Sequence, residues 1–158
     1  MPLVVLTGLP SSGKSSRALE IQQYLSARHP GLSYRLVSEE TLLLKRKDAY
    51  KDSRMEKDTR GLIKSEVERF TGTNSLVIVD SVNYIKGFRY ELFCIAKNSR
   101  TTHCVVFVDT PFSMCEEFRV AAESFDRFSA EALEQMAFRF EKPQSRNRWD
   151  KPLVVVQP

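Results

Sequence analysis

Gly8-Leu9-Pro10-Ser11-Ser12-Gly13-Lys14-Ser15 fits the spacing G-x-x-x-x-G-K-[ST], a loop that cradles nucleotide phosphates. Gly8 and Gly13 allow backbone angles and a close approach that a Cβ would block. Gly8, Pro10, Ser11, Ser12 and Gly13 form the loop, and Ser16 lies just beyond it. Such a loop turns backbone N–H groups and a helix N-terminus toward an anion. Lys14 would lie along the β- and γ-phosphates, and Ser15 would give its hydroxyl to Mg2+. The plainer reading is a Gly/Ser-rich turn with a solvated lysine.

A second chemical feature is Leu76-Val77-Ile78-Val79-Asp80, an apolar run ending in an acid. This is the Walker B pattern, in which Asp80 holds the Mg2+ shell through water. Many apolar strands end in Asp, so the pattern gains its meaning from the loop that precedes it. Glu39 and Glu40 follow the alternating run Leu32 to Ser38. Carboxylates at the carboxyl end of a strand are placed for catalysis in an open parallel sheet. Alternatively they are helix N-terminal acids, if Thr41-Leu42-Leu43-Leu44 starts a helix. Arg89, Arg139 and Arg148 are the candidates for neutralising charge on a transferred phosphoryl group. For the stretch 139–152 the alternative is a solvated loop anchored by Trp149.

Elements must position these groups. Leu3-Val4-Val5-Leu6-Thr7 reads as a buried parallel strand just before the loop. The helix after it carries Ala18, Ile21, Gln22 and Leu25 on one face and ends at His29-Pro30-Gly31. Strands follow over 32–38, 76–80, 102–109 and 153–156. Residues 45–60 form a polar loop running into a helix that continues through 61–70, with Ile63, Val67 and Phe70 inward. That charge run is a solvated face or a substrate contact. A helix from Gly87 turns Leu92, Phe93, Ile95 and Ala96 to the core. Helices over 111–122, with Met114 and Phe118 inside, and 129–138, with Ser129 as N-cap, complete the series. The pattern is one α/β domain with a five-stranded, mostly parallel sheet and helices on both faces.

The chain has 158 residues, 42% hydrophobic and 28% charged, with a net charge of +4. That suits a soluble single domain with some positive charge for phosphates. No apolar run approaches a membrane span, and no basic-then-apolar leader is visible. Cys94, Cys104 and Cys115 are too few and scattered for a disulfide framework, and His29 and His103 lack ligand spacing with them. Packing roles and a reducing compartment follow.

Three stretches resemble one family: Met1-Pro2-Leu3-Val4 running into the loop, the run from Asp80 to Leu92, and Arg139-Phe140-Glu141-Lys142-Pro143 with the run from Asn147 to Leu153. It is the killer-toxin-insensitivity ATPase family that assists the Elongator complex in wobble-uridine tRNA modification. A related kinase phosphorylates seryl-tRNA. The resemblance implies a P-loop NTPase with strand order 2-3-1-4-5 and a kinase-like lid. It implies Mg-dependent ATP hydrolysis stimulated by tRNA, with ATP and Mg2+ as cofactors and tRNA and Elongator as partners. It also implies a cytoplasmic and nuclear monomer without membrane contact. Residues 1–158 would be the nucleotide-binding domain, and the family's C-terminal tRNA-binding domain is absent from this chain. No guanine-reading N-K-x-D is present, in keeping with ATP.

In the related kinase an Asp after a Ser at the end of the second strand acts as base. Here the pair is Ser38-Glu39, one methylene longer. That departure favours orienting a water over activating an acceptor hydroxyl. The rival readings are a phosphotransferase and a nucleotide-gated binding module.

Overall fold

The computed structural model describes residues 2–122 and 127–158. Met1, which opens the first stretch of the resemblance, lies outside them. Five strands form one parallel sheet: β1 Leu3–Thr7, β2 Ser33–Ser38, β3 Ser75–Asp80, β4 His103–Val108 and β5 Leu153–Val156. Their order is β2-β3-β1-β4-β5, the order of a P-loop kinase-like fold. The helices are α1 Lys14–Arg28, the single turn α2 Arg46–Ala49, α3 Ser53–Phe70, α4 Lys86–Asn98, α5 Phe112–Ala121 and α6 Ala130–Arg139.

The inner strands β1, β3 and β4 are buried on both faces, as a doubly covered parallel sheet requires. Leu3, Val5, Val37, Val77, Val79 and Val105 pack against Ile63 and Val67 of α3 and Phe88, Leu92, Ile95 and Ala96 of α4. On the other face Val4, Leu6, Leu76, Ile78 and Val106 pack against Ala18 of α1, with Ile21 and Leu25 beside it. A third cluster of Val82, Tyr84, Phe128 and Met136 roofs the carboxyl ends of the strands. Met136 is its contribution from α6. Among the described residues no helix is long and apolar enough to cross a membrane.

Four local expectations change. Thr41 to Leu44 form turns instead of a helix. Ser38 and Thr41 bond reciprocally, each side-chain oxygen accepting from the other's backbone N–H at 3.2 and 2.9 Å. That exchange would start a helix, but Leu43 takes the left-handed φ of 58°, and Leu43 and Leu44 N–H turn back to the Glu40 and Glu39 carbonyls at 3.0 and 2.8 Å, which closes the chain after a single turn. The long helix begins at Ser53, because the Asp52 carboxylate accepts from Met55 N–H at 2.8 Å and caps it. Phe93 is only half-buried and packs edge-on to His103, at 5.3 Å between ring centres. In α5 the inward residue is Cys115, fully buried, while Phe118 is 41% exposed. The register follows from Pro111: Cys115 closes the first turn on its carbonyl and sends its thiol to the Thr110 carbonyl.

Candidate functional site

The loop between β1 and α1 takes its shape from two glycines. A Cβ on Gly8 would lie 2.8 Å from both Ser12 Oγ and the Val108 carbonyl. Gly13 has φ +95°, the left-handed region where a side chain is strained. Gly13 is also the N-cap of α1 and has no side chain to cap with. The first-turn amides of α1 therefore stay available to an anion. Thr110 steadies the loop from outside, its hydroxyl donating to the Ser12 carbonyl at 2.7 Å.

β1 and the exit of β3 are riveted together. The Thr7 hydroxyl reaches the carbonyls of Val82 and Asn83 at 3.1 and 2.9 Å. Asn83 Nδ2 donates to the Leu6 carbonyl at 2.7 Å, and Gly8 N–H to Val82 O at 3.2 Å. This bracing brings Ser15 to Asp80, whose Oδ2 accepts from Ser15 Oγ at 2.6 Å. A hydroxyl and one carboxylate are hard oxygen donors, and Mg2+ takes the rest of its octahedron from phosphate and water. The pair fits that ion. Lys14 is buried and donates from Nζ to the carbonyls of Gly8 and Leu9 at 3.2 and 2.7 Å. Burial lowers its ammonium from the ordinary 10.5 to about 8, with Asp80 and then Glu39 opposing the shift.

Glu39 stands across from this pair, at the end of β2. The register pairs Ser38 with Asp80, so Glu39 comes level with Ser81. Glu39 is 2% exposed. Its Oε1 accepts from Ser81 Oγ at 2.6 Å and from the Tyr50 hydroxyl. Because turns follow it, Glu39 does not head a helix; its buried carboxylate lines the same cavity as Asp80. Glu40 is exposed.

These groups line one cavity of about 550 Å3. Ser11, Ser12, Gly13, Lys14, Ser15, Ser16, Glu39 and Asp80 all line it; Gly8 and Pro10 are buried and do not. The three expected arginines are elsewhere. Arg89 is 1% exposed, bonds Asp150 Oδ1 from Nε at 2.9 Å and donates to the Asn83 carbonyl at 2.9 Å. That makes it an internal brace behind the site. Arg139 lies 3.3 Å from the buried Glu56 carboxylate and over the Tyr84 ring. Tyr84 also donates to Glu56; burial and that bond push its phenol up to about 12. Arg148 is exposed in the 3-10 turn Arg148–Asp150. The cationic side chains that do reach the cavity besides Lys14 are Arg17, Arg46 and Arg127, while Val108, Phe118, Ala122 and Pro158 supply an apolar wall. Arg46 and Tyr50 belong to the polar run 45–60, in which Tyr50 is the one aromatic. Arg127 and Phe118 carry no sequence signal for this placement.

Comparison with known proteins points to one family. A family model described as chromatin associated protein KTI12 matches residues 1–158. Protein KTI12 homolog of Danio rerio is 41% identical over 157 residues, 99% of this chain and 57% of the relative. Protein KTI12 of Saccharomyces cerevisiae is 41% identical over 162 residues, 99% of this chain and 51% of the relative. The chain thus spans about half the length of these curated relatives. The crystal structure of Chaetomium thermophilum Kti12 in complex with ADP-AlF3 matches with a TM-score of 0.86 at 37% identity, covering 99% of this chain and 89% of that one. The APS kinase CysC of Mycobacterium tuberculosis, in complex with AMPPNP and APS, gives 0.64 at 19% identity over 99% and 88% of the two chains, which shows the fold alone. Fold and loop together support nucleotide hydrolysis or phosphotransfer as the class of chemistry. With a family model matched from end to end and two-fifths identity to these relatives, the chain belongs to the KTI12 family.

Proposed function

We propose that this domain hydrolyses Mg-ATP, that tRNA stimulates the reaction, and that the whole protein assists Elongator-dependent wobble-uridine modification in cytoplasm and nucleus. The observation that carries the hydrolysis reading is the buried Glu39 carboxylate, held by Ser81 and Tyr50 in the cavity that Lys14, Ser15 and Asp80 also line. The relative bound to ADP-AlF3 supports a nucleoside diphosphate with a phosphoryl-like fluoride in the equivalent cavity.

The roles follow from placement. Loop amides and Lys14 bind the β- and γ-phosphates. Ser15 and Asp80 would hold Mg2+, which would neutralise charge on those phosphates. The apolar wall of Val108, Phe118, Ala122 and Pro158 suits the purine. Glu39 positions the attacking water. The water oxygen bonds to the γ-phosphorus as the β–γ bridging P–O bond breaks; ADP leaves, and the proton passes to the phosphate formed. Arg46 and Arg127, lining the same cavity, are placed to meet charge on the phosphoryl group in transit.

The test is hydrolysis of γ-labelled ATP by the full protein, with and without bulk tRNA, separating free phosphate from RNA-bound label. Free phosphate that rises with tRNA is expected. Label on the RNA would replace this reading with a tRNA kinase, and a rate indifferent to tRNA would remove the stimulation.

A further inference from the structure

Resting on the hydrolysis reading, we infer that Tyr50 is the positioning residue for Glu39: its hydroxyl anchors one carboxylate oxygen so that the other addresses the attacking water. The hydrogen bonds to the Glu39 carboxylate are asymmetric. Both hydroxyl donors, Ser81 Oγ at 2.6 Å and Tyr50, converge on Oε1 of Glu39. Oε2 has no protein hydrogen-bond partner among the described residues, although the residue is 2% exposed and lines the cavity. The terminal torsion of a glutamate is broad and roughly two-fold. A single donor would leave the carboxylate free to rotate. Two donors arriving from different elements, 3.1 Å apart from each other, restrict that rotation and direct Oε2.

Tyr50 is itself held in place. It follows α2, and its N–H closes that turn on the Arg46 carbonyl at 3.2 Å. The preceding Ala49 is 2% exposed, and its carbonyl accepts from Thr59 Oγ1 of α3 at 3.3 Å. The Tyr50 ring packs on Phe128 of the roof, 5.3 Å between centres. The phenol donates throughout the working range, because burial, and then the Glu39 charge, push its ionisation well above the ordinary value. The hydroxyl is thus a fixed donor on a packed ring, which is how a supporting contact preorganises a reactive group.

The experiment measures phosphate release from ATP by the full protein with bulk tRNA present, for the natural sequence, Tyr50→Phe, Glu39→Gln and the double variant. A fluorescent ATP analogue reports nucleotide affinity alongside. Tyr50→Phe keeps the ring contact and removes only the hydroxyl. It is expected to lower kcat roughly 10- to 100-fold, the range for loss of a supporting contact, with KM and nucleotide affinity unchanged. In the Glu39→Gln background the same change is expected to shift kcat less than about twofold, because a residue acting through Glu39 has nothing left to act on. Normal turnover of Tyr50→Phe beside a slow Glu39→Gln overturns the inference and leaves the hydrolysis reading standing. An equal loss in both backgrounds, or a loss in KM alone, makes Tyr50 a packing residue and also overturns it. Normal turnover of Glu39→Gln removes the role of Glu39 in hydrolysis, and the positioning role with it.

Discussion

Arg89 and Asp150, 61 positions apart, meet as a fully buried ion pair with 2.9 Å between Nε and Oδ1. Asp150 also accepts from Gln144 N–H at 3.1 Å and Asn147 Nδ2 at 3.3 Å through its other oxygen. The stretch before β5 is therefore wound around one carboxylate and pinned to α4. Removing one partner of a buried pair leaves an uncompensated charge and costs about 3–5 kcal/mol. Arg89→Met is expected to lower unfolding stability by that amount in urea titration. The Arg89→Met/Asp150→Leu double variant recovers only part of the loss, because the Gln144 and Asn147 donors then lose their acceptor. Full recovery would show that the loop does not depend on Asp150.

Gly8 offers a sharper steric test. The Val108 carbonyl, 2.8 Å from a Cβ at Gly8, is backbone and cannot step aside. Gly8→Ala must distort the loop, and nucleotide affinity is expected to fall at least about tenfold, or 1.4 kcal/mol. Gly31 meets nothing within 4 Å, so Gly31→Ala serves as the matched control. Equal affinities for the two variants would refute the loop as the phosphate cradle.

Lys14 makes nucleotide binding depend on pH. Burial brings its folded value to about 8, so near pH 8 about half of the side chains are neutral. Phosphate favours the ammonium, so binding at pH 8 takes up protons. Affinity is full below about pH 8 and declines as the pH rises through it. Titration calorimetry at pH 8 in buffers of different ionisation enthalpy should show that uptake, and Lys14→Ala should lose both it and turnover. The stability sign is that of any group whose folded value is depressed: the unfolded lysine keeps its proton up to about 10.5, so the cost of burying the ammonium is relieved, and stability rises, as pH goes from 8 to 10.5.

The arginines can be ranked. Arg46 and Arg127 line the cavity, whereas Arg148 does not. Single alanine substitutions at Arg46 and at Arg127 are each expected to lower kcat by about 10²-fold or more, well beyond the effect of Arg148→Ala. Single-turnover phosphate release with saturating ATP distinguishes them. A larger loss at Arg148 would mean that the 3-10 turn moves onto the nucleotide.

The residues legible in the sequence are those whose role is set by close spacing along the chain. Gly8, Gly13, Lys14 and Ser15 are bound to their task within eight positions, and Asp80 is announced by the apolar strand ahead of it. Sheet residues such as Val77 and Val79 are equally legible, because burial on both faces demands an unbroken apolar run. Tyr50, Arg46, Arg127 and Phe118 depend on where lid segments dock, which no local pattern records. Arg89 shows the converse. Its charge suggests a phosphate, but helical register turns it inward to Asp150, and charge alone does not distinguish a buried brace from a group facing solvent.

The rivets between Thr7, Val82 and Asn83 have a mechanical consequence. They tie the loop stem to the exit of the Asp80 strand, which fixes Ser15 and Asp80 to one braced unit. Glu39 belongs to a different strand, and its partner Tyr50 to a segment resting on the α6 roof. Movement of that roof can shift the water-directing arm while leaving the grip on phosphate and metal untouched. Holding a nucleotide and spending it are separate degrees of freedom in this architecture, and a signal arriving from outside needs to work only on the second.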